Sequence, residues 1–426
     1  MFRQEPQTQH LLLISHHNSY RIAPYIQAAK KRGMQVTIAS ESRHSLVSEI
    51  ASGLQVNFSD SESAIRSILQ AHEKTPFHGI LGSDDATVEL AARIAGQLQL
   101  PHNPPQAARC SRRKDLARAE LMLAGCPVPI HCLVDINMPP EKQMAGLPWP
   151  CVLKPLNMSA SRGVIRVDNE TAYLKAIEQL RPILATASGE FEQHHLLVEA
   201  YIDGIEIAYE GYLHRGRLHN ITIFDKPDPL TGPYFEETIY VTPSNLDQAL
   251  QKKIHDVVEK ACRAYGLSTG AVHAECRIDA ENQVWILEIA SRTIGGDCAR
   301  ILDNENFSVE ELAISLATGR PIDVSLPPQA RGVMMIPIRQ KGLLKRTEGL
   351  LAARQVSGIE KIDIAIPEGH ELVPLPEGNQ YLGYIFARGD TVQEVTQALR
   401  QAHNELRFIT TPVIKIEGKP KESASI

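Results

Sequence analysis

Aromatic residues are scarce in this chain, at 5% of 426 residues with two tryptophans. Proteins that stack nucleic-acid bases depend on such side chains, so the scarcity argues against that role. An excess of basic charge is missing too. The formal net charge is -6, and no Lys/Arg cluster marks a face for a polyanion. The seven cysteines, at 110, 126, 132, 151, 262, 276 and 298, form no Cys-x-x-Cys pair. Their odd number and scattered spacing argue against a zinc site or a disulfide framework. A reducing, cytoplasmic compartment follows as the expectation. No apolar run approaches the ~18 residues that span a bilayer, so no membrane role is expected. The polar, Gln-rich start, Met1 to His10, does not read as a signal peptide.

Familiar nucleotide signatures are lacking as well. There is no Gly-x-x-x-x-Gly-Lys-Ser/Thr and no Gly-x-Gly-x-x-Gly. No Gly-x-Ser-x-Gly elbow of a serine hydrolase is expected either. His273-Ala-Glu275 opens like a zinc deaminase, but the Pro-Cys-x-x-Cys partner is missing.

What is present is the profile of a soluble globular protein, 43% apolar and 22% charged. The length suggests two or three domains. His10 to Ser15, a helix over 22–32 ending at Gly33, and a strand over 34–39 open an α/β domain with a parallel sheet. A further strand at 79–81 leads into a helix through Ala95, with Ser83-Asp84-Asp85 as N-cap residues. Pro101-His-Asn-Pro-Pro105 breaks the pattern. A charged amphipathic helix is predicted over 106–124. Strands and helices alternate to about Pro327-Pro328, and a smaller α/β unit follows. The tail from Gly418 reads as frayed.

Four places carry chemistry. Lys154 ends the apolar run Cys151-Val-Leu-Lys154. Alone, it reads most simply as a strand-end lysine reaching solvent; functionally it offers a point charge for phosphate. Asn157-Met-Ser-Ala-Ser-Arg-Gly163 is a small-residue loop whose backbone N–H groups can approach an anion, with Ser159 and Ser161 adding hydroxyl donors. An ordinary hairpin would look similar. Glu199 and Glu206 flank the turn Asp203-Gly204. They can accept from an adenine amine and a ribose diol, or simply face solvent. Finally, two apolar runs around Asp279-Ala-Glu-Asn282 each carry one acid, Glu275 and Glu288, with Arg292 close behind. Acids inside apolar strands are costly unless compensated. Two facing one spot suggest a divalent cation held with nucleotide phosphates.

In this order the elements resemble the ATP-grasp superfamily, and within it the carboxylate–amine ligases. The segments from Asp225 to Glu237 and from Glu288 to Asp297 look most like those of L-amino-acid ligases and carnosine-synthase-like enzymes. The resemblance implies an α/β (α+β ATP-grasp) fold. It would hold a Rossmann-like parallel-sheet domain at 1–105, an ATP-grasp module at 106–328 with a mobile lid near 126–197, a C-terminal α/β subdomain at 329–413 and a tail at 414–426. It assigns Lys114, Lys154, Ser159, Ser161, Gly163, Glu199, Ala200, Ile202 and Glu206 to ATP. Glu275 and Glu288 would hold Mg2+, or Mn2+ in its place, and Arg292 would steady an acyl phosphate. Glu237, Gly295 and Gly296 would lie in the substrate pocket. Small-molecule carboxylate and amine substrates are implied, and a homodimer is left open. Asn157-Met158 stands where relatives have Asp-Gly, and Ser111-Arg112-Arg113 replaces an acid. Ala290 replaces a metal-ligand Asn, as in many dipeptide-forming members. Other ATP-grasp chemistries stay open, a purine-pathway ligase or a bicarbonate-activating carboxylase among them, as does a non-catalytic ATP-binding regulator.

Overall fold

His10–Ile14 is buried along its whole length, which only a strand covered on both faces permits. In the computed structural model, which describes residues 9–42, 51–143, 146–320 and 323–413, it lies inside a four-stranded parallel sheet. The order is 52–55, 35–40, 10–14, 79–82. Helices Ile22–Lys31, Ser61–Lys74 and Val88–Gln97 supply the cover. The helix Val309–Ala317, buried at every position, also packs here: Ala313 and Ile314 join the core of Leu11, Leu13 and Ile22. The strands' carboxyl ends line one rim, and its loops carry His16 to Tyr20 and Asp84 to Asp85. That rim is where open parallel sheets bind ligands. The tail expected from Gly418 lies outside the described residues.

A second, antiparallel sheet runs 131–135, 195–200, 151–155, 165–167. The helix Glu170–Leu184 closes it. Asn169 caps that helix by accepting from the Ala172 N–H, and Tyr173, Ile177, Leu180 and Leu184 form its buried stripe against Leu153 and Val198. The third sheet has eight strands, ordered 284–290, 270–278, 205–214, 217–225, 239–242, 330–336, 383–389, 359–364. Its last three strands come from the C-terminal unit, which therefore shares a hydrogen-bonded ladder with the preceding module. Helix Gln248–Tyr265 covers one half and helix Val392–Glu405 the other.

The helix expected over 106–124 is two helices, Pro105–Cys110 and Lys114–Leu123. Local chemistry explains the break. The Ser111 hydroxyl bonds back to the Ala108 carbonyl at 2.8 Å and meets the Ser291 hydroxyl at 2.8 Å. Arg113 turns extended, its guanidinium held by Asp115 and Glu192. The break lets the Lys114 N–H reach the Leu156 carbonyl at 3.0 Å.

One expectation about motifs needs correction. Gly266-Leu-Ser-Thr-Gly270 does have the Gly-x-Ser-x-Gly spacing. It joins a helix to a strand, whereas a nucleophile elbow joins a strand to a helix. Among the described residues no helix is long and apolar enough to cross a membrane.

Candidate active site

A cavity of about 1030 Å³ opens between the rim of the parallel sheet and the second and third sheets. Every residue assigned above to nucleotide, metal or substrate lines it except Gly163, which sits at the foot of the loop.

Lys114 begins its helix after the Ser111–Arg113 break, so its side chain points inward. Its Nζ lies 3.0 Å from Glu288 Oε2 and donates to the Met158 carbonyl at 3.0 Å. Lys154 sits on the strand Cys151–Pro155, 2.6 Å from Glu199 Oε2. Glu199, only 1% exposed, also receives Arg118 at 2.5 Å. Burial alone would raise the Glu199 pKa, but Arg118 and Lys154 reverse the effect and hold it at about 2. The carboxylate expected to accept from adenine thus has two cations already. The sequence reading missed Arg118. A signal existed, since Lys114 and Arg118 stand four apart and share a helix face.

The neighbouring backbone groups are partly committed. The Ala200 N–H donates to the Ile130 carbonyl, and the Ile202 carbonyl accepts from Arg277 at 2.7 Å. Each carbonyl still has a second lone pair. Val152, Leu287 and Pro129 form an apolar wall beside this segment.

The loop 157–163 is held from both sides. The Ser159 hydroxyl donates to Asp85 Oδ2 at 2.8 Å. The Gly163 N–H donates to the Pro376 carbonyl at 2.9 Å, and Arg162 Nε to the Glu377 carbonyl at 3.0 Å. Ala160, Ser161 and Gly163 all have positive φ, at 56°, 53° and 72°. A Cβ at Gly163 would stand 2.7 Å from Pro155 Cγ, so glycine is required there.

Glu275 and Glu288 are register partners across the hairpin 270–290, and directly opposite side chains share a face. Each holds a different cation. Lys226 Nζ lies 3.3 Å from Glu275, 2.8 Å from Glu206 and 2.5 Å from Glu237. Burial would lower the Lys226 pKa, but Glu206, Glu237 and Glu275 together raise it well above the usual value. Burial is also the main cause that pushes Glu237 up to about 7. Arg277 secures the other Glu206 oxygen at 2.9 Å, and His273 bonds Glu210 at 3.1 Å. Lys226 was not found from sequence. It follows the strand Arg217–Asp225 with no pattern to mark it, and its acids come from three separate strands or loops.

Arg292 meets Asp85 as a two-pronged pair, Nε to Oδ1 at 2.8 Å and Nη2 to Oδ2 at 2.7 Å. Its Nη1 donates to the Thr293 carbonyl at 2.9 Å. Burial would raise the Asp85 pKa, but Arg292 overrides it and holds the carboxyl at about 2. Gly295 lies beside Arg21 and Tyr20. Gly296, at φ 61°, leaves room where a Cβ would stand 3.0 Å from Met335 Sδ. Arg21 is buried and fixes this turn through the Thr293 and Ile294 carbonyls at 3.3 and 2.8 Å.

Known proteins share these segments. Residues 26–102 match the ATP-grasp N-terminal domain, 147–301 the ATP-grasp domain, and 334–411 the L-amino acid ligase C-terminal domain 2. Alanine–anticapsin ligase of Bacillus subtilis (strain 168) is 28% identical over 252 residues, which are 55% of this chain and 52% of that protein. The chain thus spans about half the length of the curated relatives it matches. Among solved structures, the L-amino acid ligase from Bacillus licheniformis superposes with a TM-score of 0.80 at 22% identity, covering 96% of this chain and 100% of that one. The phosphoribosylglycinamide synthetase from Anaerococcus prevotii does so with a TM-score of 0.68 at 16% identity, covering 95% and 100%. Both likenesses concern the fold. The chain thus carries segments that match the ATP-grasp domains and the L-amino acid ligase C-terminal domain 2, and its fold is similar to that of an L-amino acid ligase.

Proposed function

We propose that the protein is an ATP-dependent ligase that joins a carboxylate, an amino acid or related acid, to an amine and releases ADP and phosphate. The observation that carries this reading is the convergence of Lys114, Lys154 and Arg292 on one cavity. They come from a helix, a strand and a loop that stand far apart in the sequence. Binding a nucleotide alone does not require a third cation. Bringing an anionic triphosphate beside an anionic carboxylate does.

At neutral pH a carboxylate is a poor electrophile. Transfer of the γ-phosphoryl group to it makes an acyl phosphate. A neutral amine then attacks the acyl carbon, the C–N bond forms, phosphate leaves with the C–O bonding pair, and the proton lost from the amine nitrogen ends on the departing phosphate. In this scheme Lys114 and Lys154 bind the phosphate chain and Glu206 orients the ribose. The wall of Val152 and Leu287 takes the flat base. Arg292 binds the oxygens of the transferred group. The loop 157–163 excludes water, which would otherwise hydrolyse the acyl phosphate.

Glu275 and Glu288 fit a divalent cation, since each carboxylate already attracts an ammonium group, at 3.3 and 3.0 Å. Mg2+ held there would neutralise phosphate charge during transfer. The test is ADP release with Mg2+ over pairs of amino acids, with bicarbonate as a separate arm. Release with bicarbonate alone would move the protein to the carboxylase side of the superfamily. No release with any pair would leave an ATP-binding protein.

A further inference from the structure

Asp85 belongs to the rim of the N-terminal parallel sheet, after the strand Gly79–Gly82, yet its carboxylate does two things inside the cavity. It grips Arg292 by the Nε edge, and it accepts the Ser159 hydroxyl of the loop at 2.8 Å. The guanidinium carries five N–H hydrogens. Asp85 takes two and the Thr293 carbonyl one. One hydrogen each on Nη1 and Nη2 remains for an anion in the cavity that Arg292 lines. The grip therefore aims the group rather than using it up. The same carboxylate ties the loop over the site, and the loop's far end is clasped by the Pro376 and Glu377 carbonyls.

We propose that Asp85 is a positioning residue: it couples closure of the loop, through Ser159, to the aim of the Arg292 guanidinium, so that water exclusion and phosphoryl binding are set together. The proposal rests on the ligase reading for what Arg292 binds, but not for the loop contact. Asn has the shape of Asp and lacks its charge. Its amide would also turn a donor toward a donor, so Asp85→Asn breaks the fork without opening a hole.

The experiment compares wild type with Asp85→Asn, Asp85→Glu and Ser159→Ala. Phosphate released is measured against amide formed, and kcat and KM for ATP are measured for each. Trypsin cleavage after Arg162 is followed in the substrate-free proteins. Asp85→Asn is expected to lose ~100-fold in kcat, the scale of a misplaced reacting group, with KM for ATP within about threefold. It should release phosphate in excess of amide and be cut after Arg162 sooner than wild type. Asp85→Glu should recover part of the coupling. Ser159→Ala should raise excess phosphate and cleavage with a smaller loss in kcat. Wild-type kcat, one phosphate per amide and unchanged protection at Arg162 in Asp85→Asn would overturn the proposal. If wild type itself forms no amide with any pair, the ligase reading fails, and equal protection at Arg162 would then sink the Asp85 role separately. Should Asp85→Asn not fold, Asp85→Glu and Ser159→Ala give the same comparisons, and wild-type behaviour in both would overturn it.

Discussion

Glu275 and Glu288 are partners across one hairpin, yet each carboxylate holds a different lysine, Lys226 at 3.3 Å and Lys114 at 3.0 Å. Two like charges on one face of a sheet repel each other, and the two ammonium groups offset that repulsion. The pairing has a functional consequence. Lys114 also reaches the Met158 carbonyl, so the acid at the end of the hairpin and the loop over the cavity share one cation.

The first prediction concerns that acid. Glu288→Gln keeps the shape, removes the charge, and leaves Lys114 with its Met158 contact. We expect Mg2+-dependent ADP release to fall by on the order of 100-fold or more, as when a charge-stabilising group is lost from a preorganised site. The circular dichroism spectrum should be unchanged. Wild-type-like turnover in the folded variant would remove Glu288 from the metal site.

The second concerns Lys154. Its ammonium is buried beside Glu199, 2.6 Å away, and Arg118 remains to hold that carboxylate if the lysine is cut back. Lys154→Ala should therefore fold, and should weaken ATP binding by ~10-fold, the value of one charge-assisted contact. Nucleotide titration by calorimetry checks this. Unchanged affinity would show that Lys154 serves only the ion pair.

The third is a pH dependence. Despite burial, which would raise it, Arg118 and Lys154 hold the Glu199 pKa at about 2, below its ordinary 4.5. A carboxyl whose folded pKa is depressed stabilises the fold above its unfolded value, and that contribution disappears as pH falls through the folded value. Stability from this site, on the order of 3 kcal/mol, should be complete above about pH 5 and lost progressively toward pH 2. Urea unfolding of wild type and Glu199→Gln should therefore differ most near neutral pH and converge in acid. A gap that stays constant down to pH 2 would contradict the assignment.

Much of this arrangement was legible from sequence because it is written in short segments. The hairpin around Asp279 to Asn282, the small-residue loop and the strand that carries Lys154 each follow from local apolar patterning. The missing parts are partners brought together by topology. Asp85 reads as one of three polar residues beginning a helix, and only the parallel sheet turns its carboxylate toward Arg292. Lys226 is unmarked in its own segment, while Glu206, Glu237 and Glu275 acquire it from different places. The single helix expected over 106–124 failed for a related reason. Its break depends on the Ser291 hydroxyl and on Glu192, both far along the chain. The Ser268 pentapeptide shows the opposite case, a spacing that carries no chemistry because its elements run in the wrong order.

The most direct test of the account is the Mg2+-dependent release of ADP from ATP by the intact chain across pairs of amino acids, with the amide product measured in the same reactions. We predict that some pair yields ADP, phosphate and amide in equal amounts and that Arg292→Met abolishes all three. ATP binding without ADP release for any pair, or release that is indifferent to Arg292→Met, would contradict it.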